Sequence, residues 1–275
     1  MSYSGGSAAI KPKANANGNL FEIKTVQSSA FRTLIEALKE ILIEANLQFD
    51  PSGIKVVAVD ETRTNLVYLR LQAERFEHFY CSANFVLGVN MMYLFKLIKT
   101  LENNDHLTLY LPEKNPNKLG IMMQNAEKQT TKNYFLKLFD TNVDDIQIPS
   151  MNFTSIIHMP SGDFQKICRD MNSLGEKVEI TSSAGDLIFK CLGDYAEQET
   201  IIRESQGSMR VQKPQGSTEI VQGVFQLKEL FLFTKCTNLC PSIEILLKND
   251  APLILRYTVA NLGEVKLVLA PVRAK

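Results

Sequence analysis

No stretch of about 18 consecutive apolar residues occurs in this sequence, and its first residues lack the apolar core of a signal peptide. The expectation is a soluble, intracellular protein with no membrane partner. An excess of charge of either sign is also missing, because 30 basic and 30 acidic side chains cancel to a formal net charge of zero. Any attraction to a polyanion must then come from how charge is distributed in space. Cysteine is scarce: Cys81, Cys168, Cys191, Cys236 and Cys240 are odd in number and lack the spacing of a disulfide framework or a zinc module. Cys236 and Cys240 could form half a metal site, but no second pair lies near them and His78, His106 and His158 are scattered singly. They read as buried thiols in a reducing compartment, with no metal and no cofactor.

Catalytic constellations are absent as well. There is no Gly-rich phosphate loop, no pair of histidines at metal spacing and no nucleophile elbow. Asp144 and Asp145 are adjacent carboxylates without a basic partner in sequence reach, and they read as part of a solvated loop. No feature supports enzyme activity.

What is present is enough chain for two cores. A length of 275 residues exceeds the usual size of one hydrophobic core, and 45% apolar content can fill one in each half. Residues 1–19, mostly Gly, Ser, Ala, Asn and Lys, read as a flexible tail. Lys11-Pro12-Lys13 within it is too short to distinguish an import signal from solubilising charge. From Phe31 to Ala45, Phe31, Leu34, Ile35, Leu38, Ile41 and Leu42 recur at three- and four-residue steps, which predicts an amphipathic helix. Strand-like runs follow the Asp50-Pro51-Ser52-Gly53 turn at 54–59, 66–71 and around Phe79. A second helical pattern spans Met91 to Leu101, and strands are predicted at 107–111, 119–124 and 134–139.

The order then repeats. A shift of 133 residues carries Phe31, Leu34 and Leu38 onto Phe164, Ile167 and Met171, Leu94 and Leu97 onto Leu227 and Leu230, Ile121 onto Ile254, and Leu136 onto Leu269. The expected organisation is a domain at 20–141, a linker at 142–151 and a second, similar domain at 152–275. Each predicted helix also carries basic residues spaced to share a face: Arg32 and Lys39, Lys96 and Lys99, Lys166 and Arg169, Lys228 and Lys235. A single such pair is most often a solvated face, and Glu36, Asp170 and Glu229 dilute the pattern. Recurrence in every helix of a neutral protein points instead to a basic stripe suited to phosphates rather than bases.

Several segments resemble the proliferating cell nuclear antigen family of DNA sliding clamps. They are Leu34-Ile35-Glu36-Ala37-Leu38-Lys39-Glu40, Gly88-Val89-Asn90, Met159-Pro160-Ser161-Gly162-Asp163-Phe164, Ile167-Cys168-Arg169-Asp170, Phe233-Thr234-Lys235 and Leu269-Ala270-Pro271. The resemblance implies an α+β DNA-clamp fold, with two helices packed on antiparallel sheets in each domain and three chains closing a homotrimeric ring around double-stranded DNA. It further implies a nuclear location, or a viral replication compartment if the source is a large DNA virus. Its partners would be a DNA polymerase, a clamp loader and other enzymes carrying clamp-binding peptides. Subunits would pair the strand at 131–137 with that at 195–203 of the next chain. Partner peptides would bind a pocket formed by Val59, Arg63, Leu66, Ile146, Ile148, Pro252, Val268, Leu269, Ala270 and Pro271. Arg63 stands where the family has histidine and Val268 where it has tyrosine, so partner preference is expected to differ. The residues alone leave open a clamp subunit that assembles with two different chains, a monomeric processivity factor, and a DNA-modifying enzyme with a basic groove.

Overall fold

In the computed structural model, residues 12–60, 64–140, 151–183, 185–205 and 207–272 are described. The first half runs β1 (Asn19–Thr25), α1 (Ser28–Ile41), β2 (Glu44–Asp50), β3 (Gly53–Val59), β4 (Asn65–Gln72), β5 (His78–Cys81), β6 (Phe85–Asn90), α2 (Met91–Ile98), β7 (Asp105–Pro112), β8 (Lys118–Asn125) and β9 (Thr130–Lys137). The second half runs β10 (Ser155–Pro160), α3 (Ser161–Asn172), β11 (Lys177–Ser182), β12 (Asp186–Leu192), β13 (Glu197–Arg203), β14 (Arg210–Gln212), β15 (Val221–Gln226), α4 (Leu227–Phe233), β16 (Ser242–Leu247), β17 (Leu253–Val259) and β18 (Gly263–Leu269). A 3₁₀ segment, Thr234–Leu239, continues α4.

Helix α1 forms because Phe31, Leu34, Ile35 and Leu38 bury one face of it. It ends earlier than the apolar pattern suggests. Leu42 turns extended (φ −122°, ψ 127°), and Ala45 belongs to β2, where it alternates with Leu47 and Phe49 as buried positions. The same apolar residues satisfy either period over this short stretch, and only the sheet decides between them. At the start of α2 the side chain of Asn90 accepts a hydrogen bond from the Tyr93 amide at 3.0 Å, a cap of about 1 kcal/mol.

Of the predicted tail, residues 1–11 lie outside the described ones. Residues 12–19 form a turn instead of a loose end, because the side-chain amides of Asn15, Asn17 and Asn19 all donate to the Glu22 carboxylate. Burial alone would raise the Glu22 pKa, but these amide donors outweigh it and hold the carboxyl below its ordinary value.

The internal repeat is structural. Strand β3 maps onto β12 at a shift of 133 residues (186 − 53), and β9 maps onto β18 at the same shift (263 − 130). Helix α2 maps onto α4 at 136 (227 − 91), which corrects the uniform shift expected for Leu94 and Leu97. The hydrogen bonds at the helix starts establish this alignment: Met91 N–H donates to the Ile43 carbonyl, and Leu227 N–H donates to that of Glu176. The connection from β14 to β15 is longer than that from β5 to β6 and accounts for the change.

Each half therefore holds a five-stranded and a four-stranded antiparallel unit. The first half contributes β5-β1-β7-β8-β9 and β4-β3-β2-β6, and the second contributes β14-β10-β16-β17-β18 and β13-β12-β11-β15. Within the chain, β18 pairs with β4 from Gly263 opposite Leu71 to Leu269 opposite Asn65, so two of these units fuse into one nine-stranded sheet across the halves. Gly263 is required at this junction: a Cβ there would lie 2.0 Å from the Arg70 carbonyl oxygen. The outer edges of the other two units, β9 and β13, have no partner among the described residues.

Candidate nucleic-acid interface and peptide site

The buried residues of all four helices face the sheets, so their polar sides point outward together. Helix α1 packs on α2, on α4 and on the 3₁₀ segment, and α3 packs on α4, giving one continuous helical layer. Lys96, Lys99, Lys166, Arg169, Lys228 and Lys235 are exposed on it.

Two of the expected phosphate-facing residues are otherwise engaged. Arg32 is half-buried and donates from Nη1 to the Leu101 carbonyl at 2.6 Å, tying α1 to the chain just after α2. The Lys39 side chain is 11% exposed, pairs with Glu40 and sits 4.9 Å over the Phe95 ring. Lys235 requires a different correction. It lies in the 3₁₀ segment after α4 ends at Phe233, so the seven-residue spacing from Lys228 does not place the two on one α-helical face. Acidic residues share the layer, and Asp170 lies 3.8 Å from the Arg169 guanidinium. Glu229, by contrast, is drawn off: its carboxylate accepts from the Asn65 side-chain amide at 2.5 Å, linking α4 to β4 across the halves.

The expected peptide-pocket residues separate into two adjoining sets. On the solvent face of the nine-stranded sheet, Val268 lies opposite Leu66 and Leu66 opposite Val59, a half-buried apolar row that crosses the junction between the halves. Ile254, opposite Val268 on the other side, extends it and went unnoticed in the sequence. Pro252, Ala270 and Pro271 line a neighbouring groove of about 1340 Å³ together with Ile220, Val224 and Asn249. Ile220 is 57% exposed, an apolar side chain that only the fold marks as part of a site. Leu269 is a correction: it is 1% exposed and points into the core, because strand alternation sends it to the face opposite Val268. Arg63, Ile146 and Ile148 lie outside the described residues.

Among the described residues, no group of three or more His, Cys, Asp or Glu side chains could hold a metal ion. Burial raises the thiol pKa of Cys236 to about 12 and that of half-buried Cys81 to about 11, and lifts Cys168 further. At pH 8 these thiols are neutral, and reactivity appears only as pH rises toward those values. Thiol titration of the native protein at pH 8 is expected to show at most slow reaction at Cys81, with all five cysteines reacting after unfolding. Rapid labelling of Cys168 or Cys236 in the native state would contradict the buried placement.

Comparison with known proteins gives a consistent match. The family model for the proliferating cell nuclear antigen N-terminal domain matches residues 20–147, and that for the C-terminal domain matches residues 147–272. A protein of Paramecium bursaria Chlorella virus 1 named "Probable DNA polymerase sliding clamp 1" is 34% identical over 257 residues, covering 92% of this chain and 97% of the relative.

Proposed function

This chain belongs to the proliferating cell nuclear antigen family, and on that premise we propose that it is a DNA sliding clamp, a processivity factor that encircles duplex DNA and tethers a polymerase. It acts by topology and recruitment, with no chemical step of its own. The observation that carries this is one complementary pair of sheet edges, β9 and β13, which have no strand partner among the described residues. Strand β9 is the repeat equivalent of β18, and β13 is that of β4, yet among the described residues β18 and β4 are joined and β9 and β13 are not. Pairing β9 of one chain with β13 of the next reproduces the junction already present inside each chain and turns 5 + 4 strands into a second nine-stranded sheet. Because both complementary edges belong to one chain, they favour rings of identical subunits over mixed ones, and the ring is proposed as a trimer by analogy with the family.

The internal junction also gives the register of the seam. The hairpin registers put β13 at a shift of 131 from β4, because Gly53 lies opposite Gln72 and Asp186 opposite Arg203, while β18 lies 133 beyond β9. Leu269 opposite Asn65 then becomes Leu136 opposite Ala196 of the neighbour, with Lys137 opposite Tyr195 and diagonal to Glu197. Phe135 and Ile201, 54% and 47% exposed in the single chain, lie on the solvent face of this seam and gain neighbours along the sheet while that face stays open. Burying two exposed strand edges also removes a template for aggregation. Mass measurement in solution tests the assembly: one species at three times 30.9 kDa is expected, and a stable monomer would refute it.

The DNA-facing surface proposed here is the helical layer, with Lys96, Lys99, Lys166, Arg169, Lys228 and Lys235 making transient phosphate contacts, and Arg32 and Lys39 contributing field from partly engaged positions. Partner enzymes, including the polymerase and a clamp loader, dock clamp-binding peptides on the row Val59, Leu66 and Val268 and in the groove with Pro252, Ala270 and Pro271. Arg63, Ile146 and Ile148 are proposed on family grounds alone. The site of action is the nucleus or a viral replication compartment. Val268→Asp is expected to weaken such a peptide by about 1.5–3 kcal/mol, the value of one buried apolar side chain, without changing oligomer mass. Equal affinities for the two proteins in a peptide titration would place the pocket elsewhere.

A further inference from the structure

The groove beside the peptide row occurs twice in this chain. In the first half, Val86, Gly88, Pro116, Asn117, Leu138 and Phe139 line a groove of about 700 Å³ that the clamp function leaves unused. Its walls are the repeat equivalents of the second-half groove: Val86 and Gly88 in β6 correspond to Gln222 and Val224 in β15, and Leu138 and Phe139 after β9 correspond to Pro271 and Val272 after β18. The β7–β8 turn bearing Pro116 takes the place of the β16–β17 turn bearing Pro252. Even the closing hydrogen bond is repeated, from Phe139 N–H to the Gly88 carbonyl at 3.2 Å and from Val272 N–H to the Val224 carbonyl at 2.8 Å.

Both grooves run along the last strand of a sheet, β6 in one case and β15 in the other. Such an edge offers backbone donors and acceptors to an extended segment, while the apolar walls offer contact to its side chains. The neighbouring anchor position is conserved in kind between the halves: Phe135, 54% exposed, holds on the solvent face of β9 the place that Val268 holds on β18. The groove is also continuous with the β9 edge proposed as the subunit seam. The two differ in size, the first-half groove being about half as large, and each has acidic lining, Asp140 in the first half and Glu179 and Asp250 in the second.

We infer that the first-half groove is a second docking site, taking an extended peptide with an apolar anchor over Leu138 and Phe135 and a basic residue beside Asp140. This rests on the reading of the second-half groove as the site for clamp-binding peptides. Each ring would then offer two unequal classes of site, allowing one bound enzyme to hold a single subunit at two points or two enzymes to share it.

The test uses the full chain and a synthetic peptide with a glutamine, spaced aliphatic and aromatic anchors and a flanking lysine, titrated by calorimetry. Wild type is expected to bind two peptides per chain with different affinities. Val86→Lys and, separately, Leu138→Glu are expected to weaken one site by about tenfold or more and leave the other intact. Val268→Asp is expected to do the reverse. Val86 is 37% exposed, so its substitution provides a folded variant even if Leu138→Glu fails to fold. One peptide per chain, lost with Val268→Asp and indifferent to both first-half changes, would overturn the inference while the clamp reading stands. Binding lost only with the first-half changes would overturn the second-half peptide site and, with it, the two-site inference that rests on it. No binding to any form would overturn both.

Discussion

Reversing Lys96, Lys166 and Lys235 together to Glu is expected to abolish processive DNA synthesis while leaving the oligomer's mass unchanged. All three are exposed on the helical layer, and none lies in β9 or β13, the strands that would join subunits. Magnitude separates sliding from gripping. With Arg32 and Lys39 partly engaged within the chain, six exposed cations of the proposed DNA-facing set remain per chain, or 18 in a trimer (6 × 3). If all neutralised phosphates at once, the salt slope would be about 16 (0.9 × 18), tight enough to fix the ring in place. A clamp that moves must use a few at a time, so its attraction to DNA is shallow and easily inverted. Three reversals change the charge of a trimer by 18 (3 × 2 × 3), and a surface that weakly attracts the duplex becomes one that repels it. Primer extension on a loaded circular template, with mass measured in parallel, decides this. Full-length synthesis by the reversed trimer would remove the helices from the DNA-facing role.

The second large effect concerns the seam. Tyr134→Arg combined with Ile202→Arg is expected to convert the trimer to a 30.9 kDa monomer at concentrations where the unaltered protein is fully assembled. In the proposed register both side chains lie on the core-facing side of the seam, near Lys132. Loss of two apolar side chains costs about 3–6 kcal/mol per seam at 1.5–3 kcal/mol each, a factor of about 10²–10⁴ in affinity before the repulsion among cations is added. Both positions are half-buried in the single chain, so the melting transition of the separated subunit checks that the fold survives. A charge swap between the diagonal neighbours Lys137 and Glu197 tests the register: Lys137→Glu and Glu197→Lys should each weaken assembly, and the two together should restore it. An unchanged mass in the Tyr134 and Ile202 double variant would show that other edges join the chains.

Much of this was legible in the sequence because it depends on local periodicity. The burial of Phe31, Leu34 and Leu38, the strands around Val56 and Leu69, and the recurrence of the pattern in the second half all follow from spacing alone. The end of α1 was not, since Leu42 and Ala45 suit a helix face as well as extended chain, and the pairing of Ala45 with Val89 of β6 decides for the strand that follows. Strand β1 was missed for a similar reason: Phe21 and Ile23 are its apolar marks, and charged or polar residues flank them.

In the candidate sites, the residue types were visible and their partners were not. Arg32 reads as a free cation until the Leu101 carbonyl, 69 residues away, is brought to it. Leu269 reads as a pocket residue until the alternation of β18 turns it inward. The apolar row Val59, Leu66 and Val268 joins strands from both halves, so no local window could assemble it.

Topological retention on DNA is the central claim, and one measurement reaches it directly. The clamp is loaded by a clamp loader onto a nicked circular plasmid, freed of unbound protein by gel filtration, and the plasmid is then cut once with a restriction enzyme. The account predicts that the protein stays with the closed circle through the column and is lost when the circle is opened, because the ring slides off the ends. Retention that is equal on circular and linear DNA would mean that the protein grips the duplex by contact, and would contradict the encircling ring.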